Sequence, residues 1–234
     1  MMRILALIFG LVLTASNASA SIVQVTYTGT VIAGSDSTGL FGTVNTGVSA
    51  YVGETFVATY IFDTSLATGI FSKTSPDQNY VHGGDDFFNL SPATSASLTV
   101  HGHTFSFNPV SYSQLSGTGP SVGWNMQTAY ARNHFHDTVL DSYIRANDSG
   151  PYTVPVSISG NFVYHVLPGQ TAIGSFITQG TYVTASLDTL TISGLAPPVP
   201  EASTWAMMVL GFACLGLVAS RRKKLMSADR AACA

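Results

Sequence analysis

The residues best suited to chemistry in this sequence are the histidines and the aspartate of His134-Phe135-His136-Asp137. If this segment lies on a β-strand, His134 and His136 share one face and stand about 7 Å apart along the chain. Imidazole and carboxylate groups are common zinc ligands, and a zinc site here needs one or two more of them. The further candidates lie in a long polar stretch of the chain: His82, Asp85 and Asp86.

The alternative for these residues is a solvated turn or strand edge that holds no metal. A tight metal site requires a complete ligand set, and nothing in the spacing brings distant ligands to this segment. We therefore predict no bound metal, no cofactor and no catalytic residue. The side chains that a metal would use, if one were bound, are those of His134, His136 and Asp137.

Two short motifs resemble functional patterns and have simpler explanations. Residues 119–123, GPSVG, match the G-x-S-x-G elbow of serine hydrolases, in which a strand turns sharply into a helix and exposes the hydroxyl. The preceding SYSQLSGT is loop-like and the following WNMQTAYAR alternates like a strand, so this context is missing. His101-Gly102 before His103 fits a two-residue hairpin turn in which Gly102 takes a positive φ. Neither motif predicts catalysis.

Aromatic and hydroxyl side chains offer a second kind of chemistry, namely binding. Trp124, Tyr130 and Tyr143 have rings that could stack on carbohydrate, although aromatic residues on strands usually pack in the core. The row Thr26-x-Thr28-x-Thr30 could present ordered hydroxyls to sugars or to ice. The alternative for the row is ordinary solvent-facing strand surface.

These side chains would be positioned by β-strands, because the body of the chain alternates between apolar and polar residues. Val23 to Ile32 has the period of a half-buried strand, and Gly53 to Asp63 that of a more central one. Glycine and proline separate the segments, and no long helical period occurs. The stretch 64–93 reads as a long polar loop. Further strands are predicted over 97–101, 103–107, 124–132, 139–145, 154–166, 174–185 and 187–193.

We therefore predict an all-β domain over residues 21–195, built as an antiparallel two-sheet sandwich of the jelly-roll kind. This body carries three cations against ten carboxylates, a net charge of −7. Such a body lacks the basic stripe that phosphate binding needs, so we predict no nucleic-acid partner. Neither cysteine lies in it, so the core must hold it together without a disulfide.

Both ends of the chain carry targeting signals. Residues 1–20 have Arg3, an apolar stretch and Ala18-Ser19-Ala20, as in a secretory signal peptide cut after Ala20. The charge-free run 202–220 would span about 28 Å as a helix, which nearly matches a bilayer. The basic residues that follow place a short tail, 225–234, in the cytoplasm. The body is thus predicted to be exported and tethered by its C-terminus.

The C-terminal segment 196–224 resembles a known sorting signal. Val199-Pro200-Glu201, then Trp205 and an apolar run, then Arg221-Arg222-Lys223, are similar to the PEP-CTERM signal of Gram-negative bacteria that make extracellular polysaccharide. The family's second proline is Ala202 here. The resemblance implies that an exosortase, a membrane-embedded protease, recognises the Pro-Glu region, cuts nearby and releases the protein to the surface. It says nothing about the body.

Three functions follow as hypotheses. The first is a secreted protein of the cell surface or extracellular matrix with a structural or adhesive role, held only transiently in the inner membrane. The second is a carbohydrate-binding module of the extracellular polysaccharide. The third is a metal-assisted hydrolase that would use the histidine pair.

Overall fold

The computed structural model describes residues 22–64, 70–84, 91–122, 125–146 and 153–195, without the side chains of 70–72 and 122. The chain separates into two units after Leu195, and everything described below belongs to the first. The predicted signal peptide, linker, membrane helix 202–220 and tail lie outside the described residues. None of the described residues forms a helix long and apolar enough to cross a membrane.

The described residues form β-strands joined by turns, with two short 3₁₀ turns at Pro120–Val122 and His134–His136. Alternating buried and partly exposed residues run through nearly every strand, as a half-buried sheet requires. The strands are β1 (Ile22–Asp36), β2 (Thr55–Asp63), β3 (Ile70–Ser75), β4 (Gln78–Gly83), β5 (Ala93–Val100), β6 (His103–Phe107), β7 (Tyr112–Thr118), β8 (Met126–Asn133), β9 (Thr138–Arg145), β10 (Phe162–His165), β11 (Thr171–Thr178) and β12 (Thr181–Leu195).

All these strands belong to one curled antiparallel sheet with the order β3-β4-β7-β8-β9-β11-β12-β1-β2-β5-β6, and β10 pairs with β12 beside this path. We call β3 to β11 along this path the first arm and β12 to β6 the second arm. The predicted all-β, antiparallel class is confirmed. The predicted division into two separate sheets is not confirmed, because the described strands form one continuous hydrogen-bonded path.

The long strands β1 and β12 form the spine of the sheet, since they pair along their whole lengths. Their register shifts at Thr28/Gly29 and again at Val31/Ala33, and such bulges bend a strand and increase its twist. At the first shift the backbones come so close that a Cβ on Gly29 would overlap the carbonyl oxygen of Ser186. Glycine at this position therefore lets the spine bend.

The core lies between the inner faces of the two arms. It is rich in fully buried aromatic side chains, and Tyr27 and Tyr60 meet edge to face with ring centroids 6.3 Å apart. Two hydroxyl pairs join the arms: Tyr60 and Ser142 at 3.0 Å, and Ser91 and Ser113 at 2.6 Å. Each large apolar side chain buried here contributes about 1.5–3 kcal/mol to folding.

Several strand predictions were wrong in their bounds. The predicted loop 64–93 contains the β3–β4 hairpin, and the segment predicted to be loop-like before Gly119 forms β7. The predicted strand 154–166 is reduced to β10, because residues 153–159 run outside the sheet. The predicted strand 174–185 is the β11–β12 hairpin, which turns at Gly180 with a φ of 79°.

Candidate ligand-binding face

His134 and His136, the histidines of the candidate metal site, do not lie on a strand. His134–His136 form the 3₁₀ turn that joins β8 to β9, and Asp137 follows in a left-handed conformation with a φ of 47°. The prediction of two imidazoles on one strand face was wrong, because Asn133 pairs with Thr138 and closes a hairpin around them. His134 instead lies beside Arg132, with 3.5 Å between its Nδ1 and a guanidinium nitrogen.

No contact among the described residues brings the further candidate ligands of the metal hypothesis to this turn. His82 lies on β4, and Asp85 and Asp86 are outside the described residues. Across the described ranges, no three histidine, cysteine, aspartate or glutamate side chains converge as a metal would require.

The predicted His101-Gly102 hairpin turn is confirmed. Val100 pairs with His103, and both turn residues have positive φ, 51° for His101 and 77° for Gly102, as a type I′ turn requires. His101 Nδ1 lies 3.2 Å from a carboxylate oxygen of Glu54. The two histidines line an open cavity of about 330 Å³ beside Tyr51 and Glu54.

Ser121 of the G-x-S-x-G match lies in the other 3₁₀ turn, which follows β7 and precedes β8. The connection runs from strand to strand, and the sharp strand-to-helix elbow of serine hydrolases is not formed by the described residues. Gly123, the last residue of the motif, is outside them.

The threonine row lies on the outer side of the second arm. Thr26 on β1 is paired with Thr191 on β12 and with Thr59 on β2. Thr28 is paired with Thr189, and the two hydroxyl groups form a short hydrogen bond. Because these hydroxyls pair with each other across strands, part of their hydrogen-bonding capacity is already used within the sheet.

A different surface combines rings, amides and hydroxyls on the outer side of the first arm. Four residues are paired directly across β4, β7, β8 and β9 and so form a row at right angles to the strands: Tyr80, Ser116, Thr128 and Tyr143. We call such a row a rank. Neighbouring strands lie about 4.8 Å apart, so the two tyrosines stand about 14 Å apart with two small residues between them. Tyr80 and Tyr143 are partly exposed, whereas Ser116 and Thr128 are buried at 4% and 8% exposure. We call the stretch of this rank between the two tyrosines, where the two small side chains are buried, the trough.

The next rank on the same side adds an imidazole and an amide. It contains His82, Gln114, Tyr130 and Asp141. The rings of His82 and Tyr80 have centroids 5.4 Å apart, and Tyr130 meets Tyr112 edge to face at 5.8 Å. A groove of about 430 Å³ lies over β4 and β7, where Tyr80, His82, Gln114 and Ser116 line it together with Gln78, Thr118 and Met126, and Tyr130 and Tyr143 stand on the strands beside it. We call this outer surface of β3, β4, β7, β8 and β9 the tyrosine face.

The tyrosine face was only partly predicted. Tyr130 and Tyr143 were named from sequence as stacking residues, with core packing as the alternative, and both are partly exposed on this face. The sequence analysis does not identify Tyr80 and Gln114, because it predicts loops where the structure has β4 and β7. The signal that marks them is the alternation in Gln78-x-Tyr80-x-His82 and in Gln114-x-Ser116-x-Thr118. Trp124 lies outside the described residues.

The residues of the predicted sorting signal, from Val199 to Lys223, also lie outside the described residues. No protein-family model matches this chain, and no curated protein or solved structure is significantly similar to it.

Proposed function

We propose that this chain is a non-enzymatic, exported protein that binds polysaccharide through the tyrosine face and so acts as an adhesive or structural component of the cell surface or extracellular matrix. The observation that carries the proposal is the trough between Tyr80 and Tyr143. Ring faces are apolar platforms with a polar edge, and sugars present both apolar faces and hydroxyl groups. Of the functions predicted from sequence, this geometry favours the carbohydrate-binding module.

The polar residues of the groove complete such a site. Gln114 donates a hydrogen bond of 3.2 Å to Ser116, and Thr118 donates one of the same length to the carbonyl oxygen of Met126. The first contact holds Gln114 in place, and its amide carries a second donor hydrogen and an acceptor oxygen that can meet ligand hydroxyls. Sites of this kind bind by presenting a preformed surface, which keeps the entropic cost of association low.

The export part of the proposal rests on the two ends of the chain. The signal peptide directs the body out of the cytoplasm, the helix 202–220 holds it transiently in the inner membrane, and an exosortase cuts near Pro200 and Glu201. We also propose that the two arms, whose inner faces meet at Tyr60 and Ser142, serve as the two layers of a sandwich that presents the tyrosine face outward.

Removal of a ring from the trough tests the binding function. We expect Tyr80→Ala and Tyr143→Ala each to weaken binding of the full chain to the host's extracellular polysaccharide about tenfold, the loss of one favourable ring contact of about 1.4 kcal/mol. Binding is measured by affinity electrophoresis in gels that contain the polysaccharide. The matched control is Phe135→Ala, which removes a ring that is 65% exposed on the β8–β9 turn.

The proposal predicts that the control binds like the wild type. Equal binding by all four proteins, or no retardation of the wild type, would show that the tyrosine face does not bind this polysaccharide.

A further inference from the structure

The positive charges of the described residues are gathered on one surface. Lys73, Arg132 and Arg145 are the lysine and arginine residues of this part of the chain. Arg132 and Arg145 lie 13 residues apart on the paired strands β8 and β9, and Lys73 lies 59 residues before Arg132. Lys73 on β3 pairs with Tyr80, Arg132 on β8 pairs with Tyr112, and Arg145 on β9 pairs with Met126. Strand alternation therefore places all three on the tyrosine face.

The lysine lies directly at the groove. Its Nζ donates a hydrogen bond of 2.9 Å to Oε1 of Gln78, a residue of the groove lining, and the lysine is exposed. Lys73 is also opposite Tyr80, the ring at one end of the trough. A ligand on that ring would thus lie within reach of the ammonium group.

Negative charge is scarce on the same strands. The described strands of the tyrosine face carry one carboxylate, that of Asp141 on β9. Asp77 lies in the turn between β3 and β4, and Asp137 in the turn between β8 and β9. Burial raises the pKa of Asp141, partly offset by hydrogen bonds from Ser142 and Thr128.

The second arm has the opposite balance. Its described residues include Asp36, Asp63 and Asp188 and no lysine or arginine. In a body with a net charge of −7, three cations spread at random would face several surfaces. The strands of the tyrosine face carry these three cations and one carboxylate, so this face is less acidic than the rest of the body.

We propose that the ligand of the tyrosine face is an acidic polysaccharide, one whose sugar units carry carboxylate groups, with the rings contacting the sugars and the three cations binding the carboxylates. This inference rests on the proposed function and names its ligand class. A planar guanidinium binds a carboxylate through two parallel hydrogen bonds, and an ammonium binds it as a point charge.

A nucleic acid is the less favoured anion. Nucleic-acid binding draws much of its affinity from phosphates that lysine and arginine neutralise, whereas this face has three cations on a body with a net charge of −7. The tyrosine face also aligns its rings with hydroxyl and amide groups that match the hydroxyls of sugars.

Three polymers distinguish these ligands in the test. The full chain, purified in detergent micelles, is titrated with polygalacturonate, with the same polymer after reduction of its carboxyl groups, and with poly(U). We expect at least about tenfold tighter binding of polygalacturonate than of the reduced polymer at low salt, and a difference that shrinks as salt screens the charges.

Charge variants then locate the contacts. Lys73→Gln, Arg132→Gln and Arg145→Gln should each weaken polygalacturonate binding about fivefold and leave binding of the reduced polymer unchanged. Asp188→Asn is the matched control, because it also changes the net charge by one unit, at an exposed residue of β12 outside the strands of the tyrosine face, and should change neither affinity. Because Lys73 is exposed, its variant retains the fold even if an arginine variant does not.

The outcomes separate the two proposals. Equal binding of both galacturonate polymers, with no effect of Lys73→Gln, would overturn the acidic ligand while leaving polysaccharide binding in place. Binding of neither polymer nor of the host polysaccharide would overturn the proposed function itself. Binding of poly(U) as tight as that of polygalacturonate would overturn the assignment to a polysaccharide.

Discussion

The carboxylate of Asp36 is fully buried at the end of β1 and accepts hydrogen bonds on both oxygens. One oxygen accepts from the backbone and hydroxyl of Thr38 and from the hydroxyl of Thr181, and the other from the backbone of Phe41 and the hydroxyl of Tyr51. Burial alone would raise the pKa of Asp36, but the hydrogen bonds outweigh it and hold the pKa well below its usual range. This one side chain organises the connection between β1 and β2.

We expect Asp36→Asn to lower the free energy of unfolding at pH 7 by about 3 kcal/mol, because charge-assisted hydrogen bonds are lost and a buried backbone N–H loses its acceptor. The folded pKa is depressed, so the carboxylate stabilises the fold fully above the unfolded value of about 3.9 and loses this effect gradually as pH falls from there towards the lower folded pKa. The difference between the two proteins in urea unfolding should therefore be full at pH 7, begin to shrink below about pH 4 and keep shrinking as the pH is lowered further.

The matched control for this prediction is Glu54→Gln, which neutralises a carboxylate in the same connection. Glu54 is 44% exposed and its pair with His101 is screened by water, so the cost should stay below about 1 kcal/mol. A loss for Asp36→Asn no larger than this would show that Asp36 does not organise the connection.

The sequence predicts strands in which apolar and polar residues alternate strictly. It does not predict strands that have polar or small residues on both faces. β1 and β2 were found from sequence because valine, tyrosine and phenylalanine recur at every second position. β7 was missed because its inner side includes Ser113, a hydroxyl that pairs with Ser91 across the core. A buried serine satisfied by a distant partner looks like a loop residue in the sequence, since the partner is fixed only by tertiary structure.

Within the spine we expect Gly29→Ala to be severely destabilising, by more than about 3 kcal/mol, because its Cβ would overlap backbone atoms of β12 that cannot move without breaking the pairing. Gly119→Ala is the matched control, since its Cβ would meet the nearest atom, a methyl of Val156, at an ordinary 3.4 Å. Thermal unfolding monitored by circular dichroism compares the two. A similar melting temperature for both variants would contradict the close approach described for β1 and β12.

The sequence does not predict that the cations and the tyrosines share one face of the molecule. Lys73 lies 59 residues before Arg132, and Arg145 follows 13 residues after Arg132, so the sequence does not show that the three cations share a surface. A one-residue change of register would turn a strand's side chains to the other face, so only the pairing of β3, β4, β7, β8 and β9 reveals that the cations and tyrosines share a surface.

Delivery of the whole molecule is testable through the sorting signal. We expect the double variant Pro200→Ala, Glu201→Ala to accumulate in the inner membrane at the mass of the chain without its signal peptide but with its C-terminal helix. Membrane fractionation followed by intact-mass analysis measures this, with Ser203→Ala as a neighbouring control that is released normally. Normal release of the double variant would contradict recognition of this segment by an exosortase.

The pairing of β1 with β12 also sets the order in which the molecule can fold. Ile22 pairs with Leu195, so the spine joins the first and last described strands, and β1 has an open hydrogen-bonding edge until nearly the whole body has been synthesised. Contacts between such distant residues are slow to form, and an open edge can pair with strands of other chains. We therefore expect folding to finish late, in a single closing step, and the unfinished chain to need protection from its neighbours until β12 arrives.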